Sequence, residues 1–368
     1  MTNLTVILAI YVITFLIGFP SNLLAFYTFL VKVRKKPAPI DILLLNLTLS
    51  DVILLVFLPL KMVEAARNNA WPFHRALCTV TSCTFHSSLS ISTLFLTAIS
   101  VDRYLGVVFP IKYRMKRKAA YAVMASIFIW IFVGSHCGTV FVVRSLRNDS
   151  IPSSERPSNH VVCFKEFNEE QRKIIYPFRL EICIVLFCIP FVITFFCYVN
   201  VIRILASLPN IQARKKQRAV GLALVTLLNY TLCFAPFNIS HIFGVIYYKD
   251  PTWREYTFAL SSFNTCLDPF IFFFSSNAIR RNVGVCWAGM YLRVRPILSR
   301  CSLPCCKEPR DNDEGAGAAG LSTSSGLGGT GASNESPASV RIAKTWEVSA
   351  LNPEKEAYCT KFQIHMEH

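Results

Sequence analysis

Four basic side chains that lie far apart in the chain are candidates for one anion-binding site. They are Arg179, Arg254, His241 and His136. A guanidinium group binds a carboxylate through two parallel hydrogen bonds, and the interaction strengthens away from bulk water. At about 1.5 Å per helical residue, their distances from nearby prolines and from Trp130 place all four at one level of a helical bundle. This chemistry fits a ligand that carries a carboxylate.

Simpler roles exist for each of these residues. Arg254 could reach lipid headgroups or pair with the adjacent Glu255. Arg179 could pair with an acid nearby in the sequence, which would be Glu166, Glu170 or Glu181. A lone imidazole among apolar residues, such as that of His136, is commonly a satisfied structural group.

A second set of polar side chains is typical of a cation site within a membrane. Asp51 and Asp268 are the only charged residues of two long apolar stretches, and Ser92 and Asn264 lie within such stretches too. A lone charge inside a membrane span is costly and indicates function. Oxygen ligands of these kinds suit a small hydrated cation such as sodium. Asp51 could instead be a structural residue that is hydrogen-bonded between helices.

The tripeptide Asp102-Arg103-Tyr104 ends another apolar stretch, and prolines at Pro190, Pro236 and Pro269 interrupt the last three. Proline leaves a carbonyl unpaired and kinks a helix where it can pivot. Together these residues predict a bundle with hinges and an ionic latch. The generic alternatives are that Arg103 reaches headgroups and that the prolines serve helix packing.

The composition of this 368-residue chain argues against a soluble enzyme. Hydrophobic residues make up 53% and charged residues only 16%, against about 25% charged residues in typical soluble proteins. Seven stretches carry at most one charge, and each is long enough to cross about 30 Å of hydrocarbon as a helix. They are Met1–Val31, Ile42–Leu60, Ala76–Val101, Ala119–Val143, Ile182–Ile202, Ala219–Tyr248 and Tyr256–Ile279. The predicted fold is an all-α membrane protein, a seven-transmembrane helix bundle over residues 6–275.

The segments between these stretches predict the orientation of the bundle. Residues 32–36, 112–118 and 214–218 are rich in Lys and Arg and contain no acid, whereas the even-numbered loops mix both charges. Because Lys and Arg accumulate in cytoplasmic loops, residues 1–5 are predicted to be extracellular and the carboxyl terminus cytoplasmic. The net charge of +16 is then a topology signal, which leaves no reason to invoke nucleic acid as a partner.

The two ends of the bundle carry further signals. On the predicted outer side, Cys78 and Cys163 can form a disulfide in an oxidising environment, and Asn3 and Asn148 begin glycosylation sequons. On the inner side, residues 277–292 predict a short amphipathic helix that lies on membrane lipid. Residues 293–368 are rich in Gly, Ser and Ala for much of their length and are predicted to be a mostly disordered tail.

Seven short motifs occur in order, one per predicted span. They are Ser21-Asn22-Leu23-Leu24-Ala25, Leu47-Thr48-Leu49-Ser50-Asp51, Asp102-Arg103-Tyr104, Trp130, Pro190, Cys233-Phe234-Ala235-Pro236 and Asp268-Pro269-Phe270-Ile271-Phe272. This series resembles the rhodopsin-like class of G protein-coupled receptors over about residues 1–292. Phe234 stands where the class has Trp, and Asp268 and Phe272 replace Asn and Tyr. Phe272 has no hydroxyl, so the water-mediated contact of that Tyr must be absent or relocated.

Within the class, five local stretches resemble the free fatty acid receptors, especially the short-chain members. They begin at Ile42, Arg103, Pro177, Arg218 and Asn238. The resemblance implies an aliphatic carboxylate ligand held by arginines, a plasma-membrane location, and a heterotrimeric G protein and arrestin as partners. It implies no enzyme activity and no cofactor beyond an allosteric sodium ion.

The expected mechanism is allosteric. A carboxylate would bridge Arg179 and Arg254 with help from His241, and span six would pivot at Pro236, above Phe234, to free Arg103. Four bulky residues, Phe85, Phe187, Phe191 and Phe237, are expected to close the pocket and favour short ligands. His86 and Ser90 stand where short-chain members carry tyrosines, which leaves the chain length open.

Three other functions are alternatives to a receptor for aliphatic carboxylates. A receptor for another small anion, such as a hydroxy-carboxylic acid, is the main alternative, since two arginines do not distinguish these ligands. A carboxylate transporter is remote because the sequence shows no internal repeat. An intramembrane enzyme is equally remote because the histidines show no catalytic or metal-ligand spacing.

Overall fold

A computed structural model of the chain describes residues 4–116, 118–145, 163, 169–208, 213–277, 279–281 and 284. Among these residues, seven helices are long and apolar enough to cross a membrane, which confirms the predicted all-α architecture. The described residues up to Arg281 belong to one compact unit, and only Gly284 is described of the second. Asn3, Asn148 and the predicted tail lie outside the described residues, so those predictions remain predictions.

The seven membrane-crossing helices are called spans 1 to 7. Spans 1 to 4 are Leu4–Lys35, Pro39–Ala66, Arg75–Val108 and Ala119–Ser145, with a short helix at Pro110–Lys116. Span 5 comprises Glu169–Cys183, a π-helical turn at Ile184–Cys188 and Ile189–Ser207. Span 6 comprises Ala213–Leu228, a π-helical turn at Asn229–Phe234 and Ala235–Tyr247. Span 7 comprises Arg254–Ser261 and Asn264–Ser275.

Several spans continue beyond the uncharged stretches that predict them. Span 5 begins at Glu169 rather than at Ile182, so Arg179, which precedes the uncharged stretch, lies well inside the helix. The first part of this span is amphipathic, with Ile175 and Tyr176 buried. A helix continues wherever one face packs against its neighbours, so the first charged residue does not mark its end.

The core fills the centre of the bundle and leaves a wide apolar exterior. Its fully buried side chains come from spans 1, 2, 3, 5, 6 and 7 and include Phe29, Leu44, Leu47, Phe95, Tyr198, Tyr230, Phe234 and Phe272. Large apolar side chains on the outside are exposed, among them Leu16, Ile131, Val192, Phe196 and Leu224. An exterior of this kind matches lipid rather than water.

Span 5 illustrates how neighbouring spans accommodate proline. Pro190 has no N–H, which leaves the carbonyl of Leu186 without its usual helical partner. The chain widens into a π-helical turn there, and the N–H of Ile189 bonds the carbonyl of Ile184, five residues back. Thr93 of span 3 donates its hydroxyl to the Leu186 carbonyl at 2.8 Å. The proline therefore creates a tie between spans 3 and 5.

Two polar motif residues make similar ties. Pro269 frees the carbonyl of Thr265 in span 7, and the amide of Asn22 in span 1 donates to that carbonyl at 2.7 Å. The indole N–H of Trp130 in span 4 donates to Asn46 of span 2 at 3.0 Å. The first bond satisfies a buried amide, and the second joins two half-buried side chains within the bundle.

A disulfide joins Cys78, at the start of span 3, to Cys163. Both cysteines pack against Trp71 in a small apolar cluster. The end of the bundle that holds this disulfide is called the Cys78 end below. The opposite end, which holds Asp102-Arg103-Tyr104, is called the Arg103 end.

Candidate ligand-binding site

A cavity of about 160 Å³ lies among spans 3 to 7 near the Cys78 end. All four predicted basic residues line it: Arg179, Arg254, His241 and His136. The rest of the lining is largely apolar and includes Leu89, Val133, Ile182 and Leu186. Sites for drug-sized molecules typically measure roughly 300–1,000 Å³, so this cavity suits a small ligand with one polar head and a short apolar body.

The two arginines converge on one carboxylate, that of Asp250. Arg179 Nη1 lies 2.8 Å from Asp250 Oδ1, and Arg254 Nη1 lies 2.8 Å from Asp250 Oδ2. The arginine side chains are only 12% and 14% exposed, against 34% for Asp250. The two guanidinium groups also lie over aromatic rings, those of Tyr176 and Phe237 respectively, each at 5.6 Å. Spans 5 and 7 thus present a preorganised pair of cations to the cavity.

Asp250, which lies in the short segment between spans 6 and 7, is not among the predicted site residues. The acids predicted as partners were Glu255 for Arg254, and Glu166, Glu170 or Glu181 for Arg179. The available signal was the Asp250-Pro251 dipeptide at the start of span 7, four residues before Arg254. Only the packing of span 5 against span 6, which Asp250 follows in the chain, places Asp250 within reach of Arg179.

The two histidines differ in how their ring nitrogens are satisfied. His241 is buried, and its Nδ1 has no hydrogen-bond partner among the described residues. His136 Nδ1 lies 2.8 Å from the carbonyl of Phe132, and its Nε2 lies 3.3 Å from Glu181 Oε1. A buried unpaired polar atom calls for a partner, so His241 is better placed than His136 to contact a ligand.

The aromatic closure of the cavity differs from the predicted one. Of the four phenylalanines expected to close the pocket, Phe237 lines it. Phe85 instead packs against Tyr11 and Phe258, while Phe187 and Phe191 stack on each other and contact Tyr230. These three point into neighbouring packing layers because the rotation of each helix, which residue spacing does not reveal, decides where a side chain faces.

Three cavity-lining residues complete the site. His86 lies against Phe258, with ring centroids 4.9 Å apart, and Ser90 is on the same span. Phe234 also lines the cavity. His86 and Ser90 therefore give the span 3 wall of the cavity an imidazole ring and a hydroxyl group.

A second polar site lies deeper in the bundle and contains the four predicted cation ligands. Asp51, Ser92, Asn264 and Asp268 are fully buried. Both carboxylate oxygens of Asp51, the Ser92 hydroxyl, Asn264 Oδ1 and Asp268 Oδ2 have no hydrogen-bond partner among the described residues. The two carboxyl groups are close enough to interact with each other. Unpaired oxygens around two acids form a donor set that fits a small hard cation.

Asn229 belongs to this deeper site and was missed as a functional residue. Its amide donates to Asp268 Oδ1 at 2.7 Å, and it lies in the π-helical turn of span 6. The sequence around Asn229, Asn229-Tyr230-Thr231, matches a glycosylation sequon within a span and carries no other functional signal. Asn229 therefore connects the acid pair to the part of span 6 that precedes Pro236.

At the Arg103 end, Arg103 and Asp102 each make a contact outside their own tripeptide. Arg103 Nη2 donates to the carbonyl of Ser275, the last residue of span 7, at 3.1 Å. Asp102 accepts a 2.5 Å hydrogen bond from the hydroxyl of Tyr113. Arg103 thus ties span 3 to span 7, and its neighbour ties span 3 to the short helix that follows it.

A chain of contacts connects Phe234 of span 6 to Thr93 and Thr97 of span 3. Phe234 packs edge-on against Tyr230, with ring centroids 5.7 Å apart. The Tyr230 hydroxyl donates to the carbonyl of Thr93 at 2.6 Å and lies 2.7 Å from the hydroxyl of Thr97. In span 6 the N–H of Ala235 bonds the Tyr230 carbonyl, five residues back. A displacement of Phe234 would therefore be transmitted to span 3 through the side chain of Tyr230.

Comparison with known proteins identifies the class and then the family. Residues 21–272 match the family described as 7 transmembrane receptor (rhodopsin family). The chain is 43% identical over 281 residues to free fatty acid receptor 2 of Mus musculus, which covers 76% of this chain and 84% of that protein. It is 38% identical over 274 residues to free fatty acid receptor 3 of Homo sapiens, which covers 74% and 78%.

The chain therefore belongs to the rhodopsin family of seven-transmembrane receptors and, within it, to the free fatty acid receptors. Membership of this family makes it a multi-pass membrane receptor of the plasma membrane. It also explains why the polar residues within the spans occur in this order.

Proposed function

We propose that this receptor is activated by extracellular short-chain aliphatic carboxylates and signals through heterotrimeric G proteins. The observation that carries the proposal is that Arg179 and Arg254, from two different spans, both bind one carboxylate at 2.8 Å. The names of the relatives, free fatty acid receptors 2 and 3, support the same ligand class. The small cavity favours ligands with few carbon atoms.

The ligand carboxylate is held between Arg179 and Arg254, with His241 Nδ1 as a third contact. The apolar body of the ligand lies against Leu186 and Phe237, which line the same cavity. His136 is a weaker contact because Glu181 already faces its ring. Binding shifts the receptor only to the extent that it favours one arrangement of spans 5, 6 and 7 over another.

The Cys78 end faces the outside of the cell in this proposal, and the carboxyl terminus is cytoplasmic. The disulfide is consistent with an oxidising environment. At the Arg103 end, Lys215, Lys216 and Arg218 of span 6 rim the surface that receives the G protein. Arrestin would use the same end of the receptor. Asn3 and Asn148 would carry glycans on the outer side, and membrane lipid would surround the apolar exterior.

Signal transmission runs through span 6. Closure of the arginines on the ligand displaces Phe237 and Phe234, and span 6 pivots at the π-helical turn before Pro236. Its inner end then swings outward, and Arg103 leaves the carbonyl of Ser275. Pro269 supplies a second point of bending in span 7.

The deeper site would stabilise the resting arrangement. Asp51, Ser92, Asn264 and Asp268 would hold a sodium ion that offsets two buried carboxylates and links spans 2, 3 and 7. Asn229 extends this link to span 6. Pivoting of span 6 would disturb it.

The test is a titration of G protein dissociation in cells expressing the full chain, with carboxylates from acetate to decanoate. Arg179→Ala is compared at matched surface expression with Arg67→Ala, which removes an exposed arginine at the same end. A saturable response that Arg179→Ala alone abolishes supports the ligand class and its anchor. A parallel titration with hydroxy-carboxylates tests the main alternative ligand class. A flat response to every carboxylate, in cells where a reference receptor signals, would reject the proposal.

A further inference from the structure

Asp250 occupies the position that a ligand carboxylate needs. Its Oδ1 faces Arg179 Nη1 and its Oδ2 faces Arg254 Nη1, both at 2.8 Å. One carboxylate group thus bridges the same two guanidinium groups that the proposed function assigns to the ligand. A second carboxylate brought alongside would meet a like charge and would find these two donors already engaged.

The chain holds Asp250 in this position through several local features. Tyr248 ends span 6 in the left-handed conformation, with φ of 48°, which bends the chain back over the bundle. Pro251 follows Asp250 and restricts it to extended backbone. The N–H of Arg254 then bonds the Pro251 carbonyl at 3.1 Å and starts span 7. The segment is short and constrained, so the carboxylate of Asp250 is held facing the two arginines.

Span 6 leaves room for this carboxylate by means of a glycine. A Cβ added at Gly244 would lie 3.2 Å from Asp250 Oδ1 and 3.5 Å from the ring of Tyr176. Any side chain there would press on the carboxylate. The Tyr176 ring lies under the guanidinium of Arg179, so glycine, aromatic ring and both arginines form one fitted receptacle for Asp250.

We propose that Asp250 is an internal competing carboxylate, which ligands must displace from Arg179 and Arg254 and which sets the concentration at which they act. This inference rests on the proposed function. The ligand carboxylate takes over ion pairs that Asp250 already makes, so it gains less from charge than it would at two unpaired arginines. Its net affinity then comes from the burial of its apolar body and from the unpaired Nδ1 of His241.

Competition of this kind makes a specific prediction. A competitor that every ligand must displace weakens all of them by the same factor, whatever their chain length. Asp250→Asn keeps the size of the side chain and removes its charge. It should raise the potencies of acetate, propionate and butyrate in parallel, by about tenfold or more, because charged hydrogen bonds contribute on this scale. A change in cavity shape would instead alter the order of the three ligands.

Three further variants separate displacement from other effects. Gly244→Ala keeps both arginines and the acid but presses on Asp250 Oδ1, so it should raise potency in the same direction and by less. Asp250→Glu keeps the charge and should stay close to the parent receptor. Glu255→Gln makes the same change in net charge beside Arg254. It should leave potency unchanged if the gain in Asp250→Asn comes from removal of the competitor and not from long-range attraction of the ligand by added positive charge.

The experiment measures G protein dissociation by the full-length receptor and these four variants at matched surface expression, with acetate, propionate and butyrate. Parallel gains in Asp250→Asn and Gly244→Ala, without a gain in Glu255→Gln, would support the proposal.

Two results would overturn the inference while the proposed function stands. One is an unchanged or lower potency of Asp250→Asn in a responsive parent receptor, since Asp250 would then position the arginines rather than compete. The other is an equal gain in Glu255→Gln. Silence of every variant, in cells where a reference receptor signals, would reject the carboxylate site itself and this inference with it.

Discussion

The cavity at the Cys78 end and the deeper acid pair are both buried groups of charges, yet they are satisfied in different ways. In the cavity, two arginines share Asp250, which leaves one positive charge uncompensated among the three side chains. In the deeper site, Asp51 and Asp268 are both acidic, and three of their four carboxylate oxygens are unpaired among the described residues. The cavity thus holds an excess of basic groups, and the deeper site holds two acidic groups that have no basic partner among the described residues.

This difference indicates what each site is built to bind. A buried charge is costly unless it is paired or can bind an ion of opposite sign. The cavity therefore suits an anion that can replace Asp250, and the deeper site suits a small cation. Both sites lie against span 6, the cavity through Phe234 and His241 and the acid pair through Asn229. A shift of span 6 would therefore couple the two.

The largest expected effect comes from removal of one of the two arginines of the cavity. Arg254→Ala leaves Asp250 paired with Arg179 and removes half of the ligand's anchor. We expect carboxylate potency to fall on the order of 100-fold, because loss of one partner of a buried charge pair costs about 2–5 kcal/mol. Dose–response curves for G protein dissociation measure this, with Arg67→Ala as the control. An unchanged potency would mean that Arg254 serves only its ion pair with Asp250 and does not hold the ligand.

The second prediction concerns the deeper site. In the parent receptor, replacing sodium by choline should raise agonist potency by about tenfold, within the usual range of allosteric coupling. Asp51→Asn should abolish this sodium dependence because it removes one of the two carboxylates. Asp41→Asn is the control, since Asp41 pairs with Lys32 far from the acid pair. If Asp51→Asn retains the full sodium effect, the deeper site does not hold this ion.

The third prediction compares the two histidines within the cavity. His241→Ala should lower potency by about tenfold because its unpaired ring nitrogen is available to the ligand carboxylate. His136→Ala should lower it by about threefold or less, since its ring is already satisfied by Phe132 and Glu181. Potency measured for both at matched expression tests this order. The reverse order would place the carboxylate nearer span 4.

The smallest expected effect tests the connection between the sites and the Arg103 end. Tyr230→Phe removes the hydroxyl that ties span 6 to Thr93 and Thr97 of span 3. The lost hydrogen bond contributes about 1 kcal/mol to the contact between the two spans. Its loss should raise basal G protein dissociation a few-fold while carboxylate binding stays the same. Basal signalling per receptor at the surface measures it. A loss of ligand binding would instead make Tyr230 part of the cavity.

Much of the fold could be predicted from the sequence because the membrane restricts the possibilities. Seven long apolar stretches must be helices, and they are. The ends of span 5 were predicted less well, since its amphipathic beginning at Glu169 carries charges on one face. The residues around the cavity were found by their distance from prolines, yet Phe85, Phe187 and Phe191 face elsewhere. Distance along a helix gives the height of a residue in the bundle, but the packing of the helix decides which way its side chain faces.

The sequence by itself determined the number of spans, the basic residues that line the cavity, and the four buried residues with side-chain oxygens that form the deeper site. These follow from residue type and spacing within a single helix, where the geometry is fixed. Only the tertiary structure decided that Asp250 lies between Arg179 and Arg254, that Asn229 binds Asp268, and that Arg103 reaches Ser275. Each of these contacts joins different spans or a loop. They depend on how the helices pack together, which no local pattern in one stretch of sequence records.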